Sequence, residues 1–165
     1  IGVLNKEMVN IVVHGHEPTL SEMIVKASFD KELLKVAEDK GAKGINVVGI
    51  CCTANEILMR QGASVVGNFL NQELAIATGV VEAMVVDVQC IMPALSEHVT
   101  RFHTKLITTS SKARIKGAHH IQFNEEKAYT IAKEIVRIAI NNFTNSILSY
   151  TKHLTNSFLL YTTFV

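Results

Sequence analysis

Three short stretches carry residue types that bind soft metals. They are His14-Gly15-His16, Cys51-Cys52 and Gln89-Cys90. Each follows a run of apolar, β-branched residues, so each falls where a buried strand would end. Imidazole and thiolate together suit zinc, nickel, copper, iron or an iron–sulfur cluster. The competing reading is packing, because cysteine is among the most buried residue types. A close Cys-x-x-Cys pair, which would make a zinc site specific, is absent. So are a Ser–His–Asp order, a P-loop and Gly-x-Gly-x-x-Gly, which leaves hydrolase and nucleotide readings without a motif.

The elements that must gather these residues follow from the hydrophobic pattern. Val9 to Val13, Ile45 to Ile50, Val65-Val66 and Met84 to Val88 lack strict alternation, as strands buried on both faces of a parallel sheet do. Lys105 to Thr109 is a fifth strand candidate and Ile121-Gln122-Phe123 a sixth. Helices are expected between them. Pro18 suits the first turn of one. Asp30 caps a second with Leu33, Leu34 and Ala37 inward, ended by Gly41. Thr53 and Glu56 have capping-box spacing, so a third is expected directly after Cys52, stopping near Gly62. Asn71 to Thr78 is a short helix closed by Gly79, and Pro93 begins the segment Ala94 to Phe102. Asn124 caps a long amphipathic helix with Ala128, Ile131, Ala132, Ile135, Ile138 and Ala139 on one stripe.

Strands alternating with helices predict an α/β fold, a doubly wound Rossmann-like parallel sheet with helices on both faces. Ligands of such sheets bind beyond the carboxyl ends of the strands. Neighbouring strands lie roughly 4.8 Å apart, so the histidines and cysteines can converge on one crevice there. Gly15 and Gly49 would let a bulky ligand approach the backbone. Asp87, inside an apolar run, needs a partner if buried. His98, His103, His119, His120 and His153 are read as surface or supporting groups, and Lys26, Lys31 and Lys35 as solvated helix faces.

Composition narrows the partners. A net charge of +1 and 6% aromatic residues with no Trp give no case for nucleic acid or an anionic membrane surface. No apolar stretch reaches the roughly 20 residues of a membrane helix, and no signal peptide is visible. Three cysteines do not describe a disulfide framework. Free thiols suit a reducing compartment, so the chain is read as cytoplasmic, and as beginning inside a longer reading frame.

At His14-Gly15-His16-Glu17-Pro18 and Gly49-Ile50-Cys51-Cys52-Thr53-Ala54-Asn55-Glu56 the sequence resembles the catalytic subunit of bacterial anaerobic nickel–iron carbon monoxide dehydrogenases. The likeness continues through Asn68-Phe69-Leu70, Gln72-Glu73-Leu74-Ala75 and Val85-Val86-Asp87-Val88-Gln89-Cys90-Ile91-Met92-Pro93. It weakens from Thr108-Thr109-Ser110 to the helix ending near Asn142. The wording is most similar to the type paired with acetyl-CoA synthase.

The resemblance implies an oxidoreductase that oxidises CO with water to CO2 and runs the reverse. Its cofactor would be a nickel–iron–sulfur cluster of the Ni-4Fe-4S type with one iron outside the cube, and electrons would pass to ferredoxin. Carried over, His16 and Cys52 would hold the outer iron and Cys90 a cubane iron. His16 is preferred to His14 because it lies past the strand end, and His14 stays an alternative. Cys51 is read as packing or supporting. The parent enzyme would be a homodimer, with acetyl-CoA synthase as a further partner.

There are departures from the family pattern. The family needs more cysteines than this chain has, including one on nickel and an upstream set for additional 4Fe-4S clusters. Its acid–base histidines and lysine lie outside the matching region. Residues 1–142 are therefore read as a cluster-binding domain of a fragment, and 143–165 as an atypical tail, disordered or frameshifted. The alternatives are a non-catalytic α/β remnant or binding module, and a hybrid-cluster-type redox enzyme.

Overall fold

The computed structural model describes residues 1–88 and 92–143, without the side chains of Leu58 and Met59. Its strands are β1 (Val9–His14), β2 (Ile45–Ile50), β3 (Ser64–Gly67), β4 (Ala83–Val86), β5 (Lys105–Thr108) and β6 (His119–His120). All pair in parallel, in the order β3-β2-β1-β4-β5-β6. The chain winds outward from β1 to β3, then crosses back to β4 on the other side of β1. The helices are α1 (Pro18–Ser28), α2 (Lys31–Asp39), α3 (Cys51–Gln61), α4 (Gln72–Ala77), α5 (Leu95–His98) and α6 (residues 128–143). This is the doubly wound α/β architecture that the alternating pattern predicts.

The sheet divides the apolar interior in two. On one face Ile11, Val13, Ala83, Val85 and Ile107 pack with Leu20 and Ile24 of α1, Leu33 of α2, Ile57 of α3 and Ile135 of α6. On the other, Val12, Val48, Ile50, Met84 and Val86 meet Ala75 and Ile76 of α4 and Leu95. Every residue of β1 and β4 is buried. A strand covered on both faces has no polar side to alternate with, hence the continuous apolar runs.

Capping follows the sequence in most places. The Asp30 carboxylate accepts the amides of Glu32 and Leu33 at the start of α2. It also accepts the Tyr129 hydroxyl at 3.0 Å and pairs with Lys133 at 3.1 Å, so one residue caps α2 and ties it to α6. Asn124 accepts the Glu126 amide in the 3-10 turn that leads into α6. Gly41, Gly62 and Gly79 lie at positive φ past the ends of α2, α3 and α4.

Some expectations are corrected. The sixth strand is His119–His120, and 121–123 follows it. The Ile121 amide still donates to Thr108 and that of Phe123 to Thr109, so the ladder continues as single bonds without a strand. α3 begins at Cys51, and the Thr53 hydroxyl donates to the Gly15 carbonyl instead of capping the helix. His103 is no surface residue: its side chain is 4% exposed and lies 3.5 Å from the buried Glu82 carboxylate. Phe143 packs in the core, and the side-chain amide of Asn142 donates to the Glu82 and His103 carbonyls. Of the proposed tail, 143–165, residues 144–165 lie outside the described residues.

Gly15 and Gly49 make room for protein, not for a ligand. A Cβ on Gly49 would stand 2.3 Å from the Ala54 Cα of α3. Helix and strand therefore touch backbone to backbone. Gly49→Ala is expected to cost about 3 kcal/mol or more, the upper end for overpacking, because backbone and not a flexible side chain must move. Gly79→Ala, with open space around it but φ +70°, should cost only about 1 kcal/mol. Urea unfolding of the two variants followed by circular dichroism checks the difference.

Candidate metal-ligand site

The site is built on register. β1 lies between β2 and β4, with His14 level with Ile50 on one side and Val86 on the other. His16 and Cys52 each lie two positions beyond that line, on adjacent strand exits. Cys90 follows four positions beyond Val86 and lies outside the described residues. The sheet reverses its winding direction between β1 and β4, where adjoining connections leave toward opposite faces and open a crevice.

The β2 exit is a sharp strand-to-helix turn. Cys51 has φ +58°, the only positive value among the described non-glycine residues. A left-handed conformation in a residue with a Cβ costs of order 1–2 kcal/mol and persists only when its surroundings impose it. Here the contact between Gly49 and Ala54 imposes it, since α3 must fold straight back over β2. The turn leaves Cys51 half-buried and Cys52 exposed, with their sulfurs 3.9 Å apart. Nothing in the sequence marks this conformation, because cysteine has no special preference for it.

The β1 exit is tied down from both sides. Gly15, at φ +139°, has no room for a side chain, because a Cβ would stand 1.5 Å from Asp87 Oδ1. That carboxylate accepts the His16 amide at 2.6 Å and the Glu17 amide at 2.8 Å. It also accepts the Val88 amide. Both amides precede Pro18, the first residue of α1, so Asp87 reaches across from the end of β4 to pin the loop that leads into that helix. Asp87 is 1% exposed. Burial pushes its carboxyl above the ordinary range, against the opposing pull of the three amides. Burial raises Glu17 as well, with the Asp87 charge adding to it. On the other side, the Thr53 hydroxyl donates to the Gly15 carbonyl at 2.5 Å.

The two histidines of the first motif separate. His14 is fully buried, 6.4 Å from the Phe69 ring, and neither ring nitrogen has a hydrogen-bond partner among the described residues. Burial, helped by the nearby His16, pulls its pKa down to about 4, so it is neutral at neutral pH. His16 is exposed on the turn before α1. Among the described residues no three or more His, Cys, Asp or Glu side chains are gathered closely enough to hold a metal ion. What the chain presents is a soft donor set, an exposed imidazole and an exposed thiol, on level strand exits. Those donor types suit soft or borderline metals.

Sequence reasoning finds the histidine and cysteines and the need of Asp87 for a partner. It misses which partner, the Thr53 bond and the turn at Cys51. Of the remaining histidines, His98 Nε2 lies 3.1 Å from the Glu73 carbonyl and His120 Nδ1 3.0 Å from the Thr108 hydroxyl.

Comparison with known proteins gives a consistent result. The family model described as the Prismane/CO dehydrogenase family matches residues 1–153. Carbon monoxide dehydrogenase 1 of Methanosarcina acetivorans is 61% identical over 145 residues, which is 88% of this chain and 23% of the relative. The beta subunit of carbon monoxide dehydrogenase/acetyl-CoA synthase of Moorella thermoacetica is 52% identical over 87% of this chain and 21% of its own. A nickel-free, as-isolated carbon monoxide dehydrogenase from Thermococcus sp. AM4 superposes with a TM-score of 0.86 at 59% identity, covering 88% of this chain and 23% of that one. The chain thus spans less than a quarter of the length of these relatives.

In the metal-free chain, Cys52 is expected to alkylate faster than Cys51, because its side chain is the more exposed. Limited iodoacetamide treatment followed by tandem mass spectrometry of the peptide containing both reads the order directly.

Proposed function

The chain belongs to the Prismane/CO dehydrogenase family, and from this we propose that it is the segment of an anaerobic nickel–iron carbon monoxide dehydrogenase that supplies part of the active-site ligands. The observation that carries the reading is the register, which sends His16 and Cys52 off neighbouring strand exits at the same offset. The names of its relatives favour this reading over a binding module or a hybrid-cluster enzyme.

A nickel–iron–sulfur cluster, when bound in the full-length parent, would supply the oxidation of CO with water to CO2, two protons and two electrons, and the reverse reaction. His16 and Cys52 would hold the iron outside the cube, and Cys90 a cubane iron. An imidazole and a thiolate would each donate an electron pair to the outer iron, which would supply the activation of water. Exposure makes His16 reachable, whereas His14 has both nitrogens turned into the core. The remaining ligands, the acid–base groups and the additional 4Fe-4S clusters would come from the rest of the parent protein. Its partners would be ferredoxin as electron acceptor, a second copy in a homodimer and acetyl-CoA synthase, in the cytoplasm. Among the described residues no helix is long and apolar enough to cross a membrane.

In the full-length parent, His16→Ala should lose the outer iron. His14→Leu should keep it, with little cost to stability, because the imidazole it replaces has no hydrogen-bond partner among the described residues. Iron and nickel per chain, with Mössbauer spectra of the variants, decide between the histidines, and loss of the outer iron in His14→Leu alone would reverse the assignment. This chain alone should oxidise no CO. Viologen reduction by the purified chain under CO would contradict that.

A further inference from the structure

We propose that Asp87 and Thr53 are positioning residues that fix the backbone of the His16 loop against the β2 and β4 exits before any metal arrives, an inference that rests on the ligand reading above. The loop between β1 and α1 is held by side chains from outside it. Asp87 accepts the His16 and Glu17 amides at 2.6 and 2.8 Å, and Thr53 donates to the Gly15 carbonyl at 2.5 Å. Both are buried, at 1% and 0% exposure. Each also belongs to a segment that carries another proposed ligand. Thr53 directly follows Cys52, and Asp87 precedes Cys90 by three positions. The hydrogen bonds therefore join the three ligand segments to one another through groups that are not ligands.

This arrangement has the logic of supporting partners that orient metal ligands, except that it acts on the backbone and not on the imidazole. It fixes where the Cα of His16 stands relative to the Cys52 turn, leaving only the side-chain torsions to be set on binding. Ordering a free loop would otherwise cost conformational entropy at the moment of metal capture. Gly15 is part of the same device, because a side chain there would displace the Asp87 carboxylate.

The test uses the full-length enzyme carrying Asp87→Asn, Thr53→Val, Thr53→Ser or His16→Ala. Outer-iron retention is measured by Mössbauer spectroscopy against graded chelator, and amide exchange by mass spectrometry of peptides covering residues 14–20. Asp87→Asn and Thr53→Val should each weaken outer-iron retention about tenfold or more, the usual size for a supporting partner, while the cubane irons stay. Exchange at the His16 and Glu17 amides should rise, and Thr53→Ser, which keeps the hydroxyl, should restore both readouts. If His16→Ala loses the outer iron while Asp87→Asn and Thr53→Val retain it at the wild-type level, the positioning role is overturned and the ligand reading stands. If His16→Ala keeps that iron, the ligand reading falls and the positioning role falls with it. Should Asp87→Asn fail to accumulate, the contrast between Thr53→Val and Thr53→Ser decides alone.

Discussion

The Asp87 carboxylate, buried between two strand exits, accepts amides from a loop seventy residues away in sequence. Much of the candidate site depends on that contact. It requires Gly15, because no Cβ fits beside the carboxylate. It pins the two residues that lead into α1, His16 and Glu17. It can form only if β1 and β4 lie side by side with His14 level with Val86, and that register holds. Burying a carboxylate is costly unless hydrogen bonds compensate, and the three backbone amides here offset part of that cost. A group this expensive to bury makes one sheet register far better than its neighbours, since a slipped β4 would leave the carboxylate unsatisfied.

A second polar arrangement sits at the opposite, amino end of the sheet. The Glu82 carboxylate accepts the Asn10 amide at 2.5 Å, and the Asn10 side-chain amide donates to the carbonyls of Asn5, Met8 and Val80. Asn142 of α6 joins in through the Glu82 and His103 carbonyls. Strand entries and exits are where backbone groups run out of ladder partners, so buried polar side chains collect there. The middle of the sheet is apolar on both faces. Specificity of pairing thus comes from the two ends, and cohesion from the interior.

The strain at Cys51 belongs to the same design. A residue held at φ +58° needs surroundings that impose it, and backbone contact between β2 and α3 at Gly49 and Ala54 does so. The result is a thiol pair at the tip of a turn on rigid elements, not on a free loop. Soft-metal sites need donors held in place, and a strand-to-helix turn anchored by packing provides that.

What the sequence determined by itself is local. Continuous β-branched runs mark strands covered on both faces, Asp30 and Asn124 mark helix starts, and glycines mark helix ends, because each property depends on neighbours within a few residues. The donor residues are equally legible, since their chemistry travels with their side chains. The tertiary structure decided the rest. Only strand pairing sets His16 level with Cys52, buries His14 while exposing His16, and supplies Asp87 and Thr53 with partners in another segment. It also turned Thr53 from an expected helix cap into a tie between loops. Hydrogen bonds between segments distant in sequence leave no periodic trace, and the geometry that satisfies a buried carboxylate exists only once the sheet has formed.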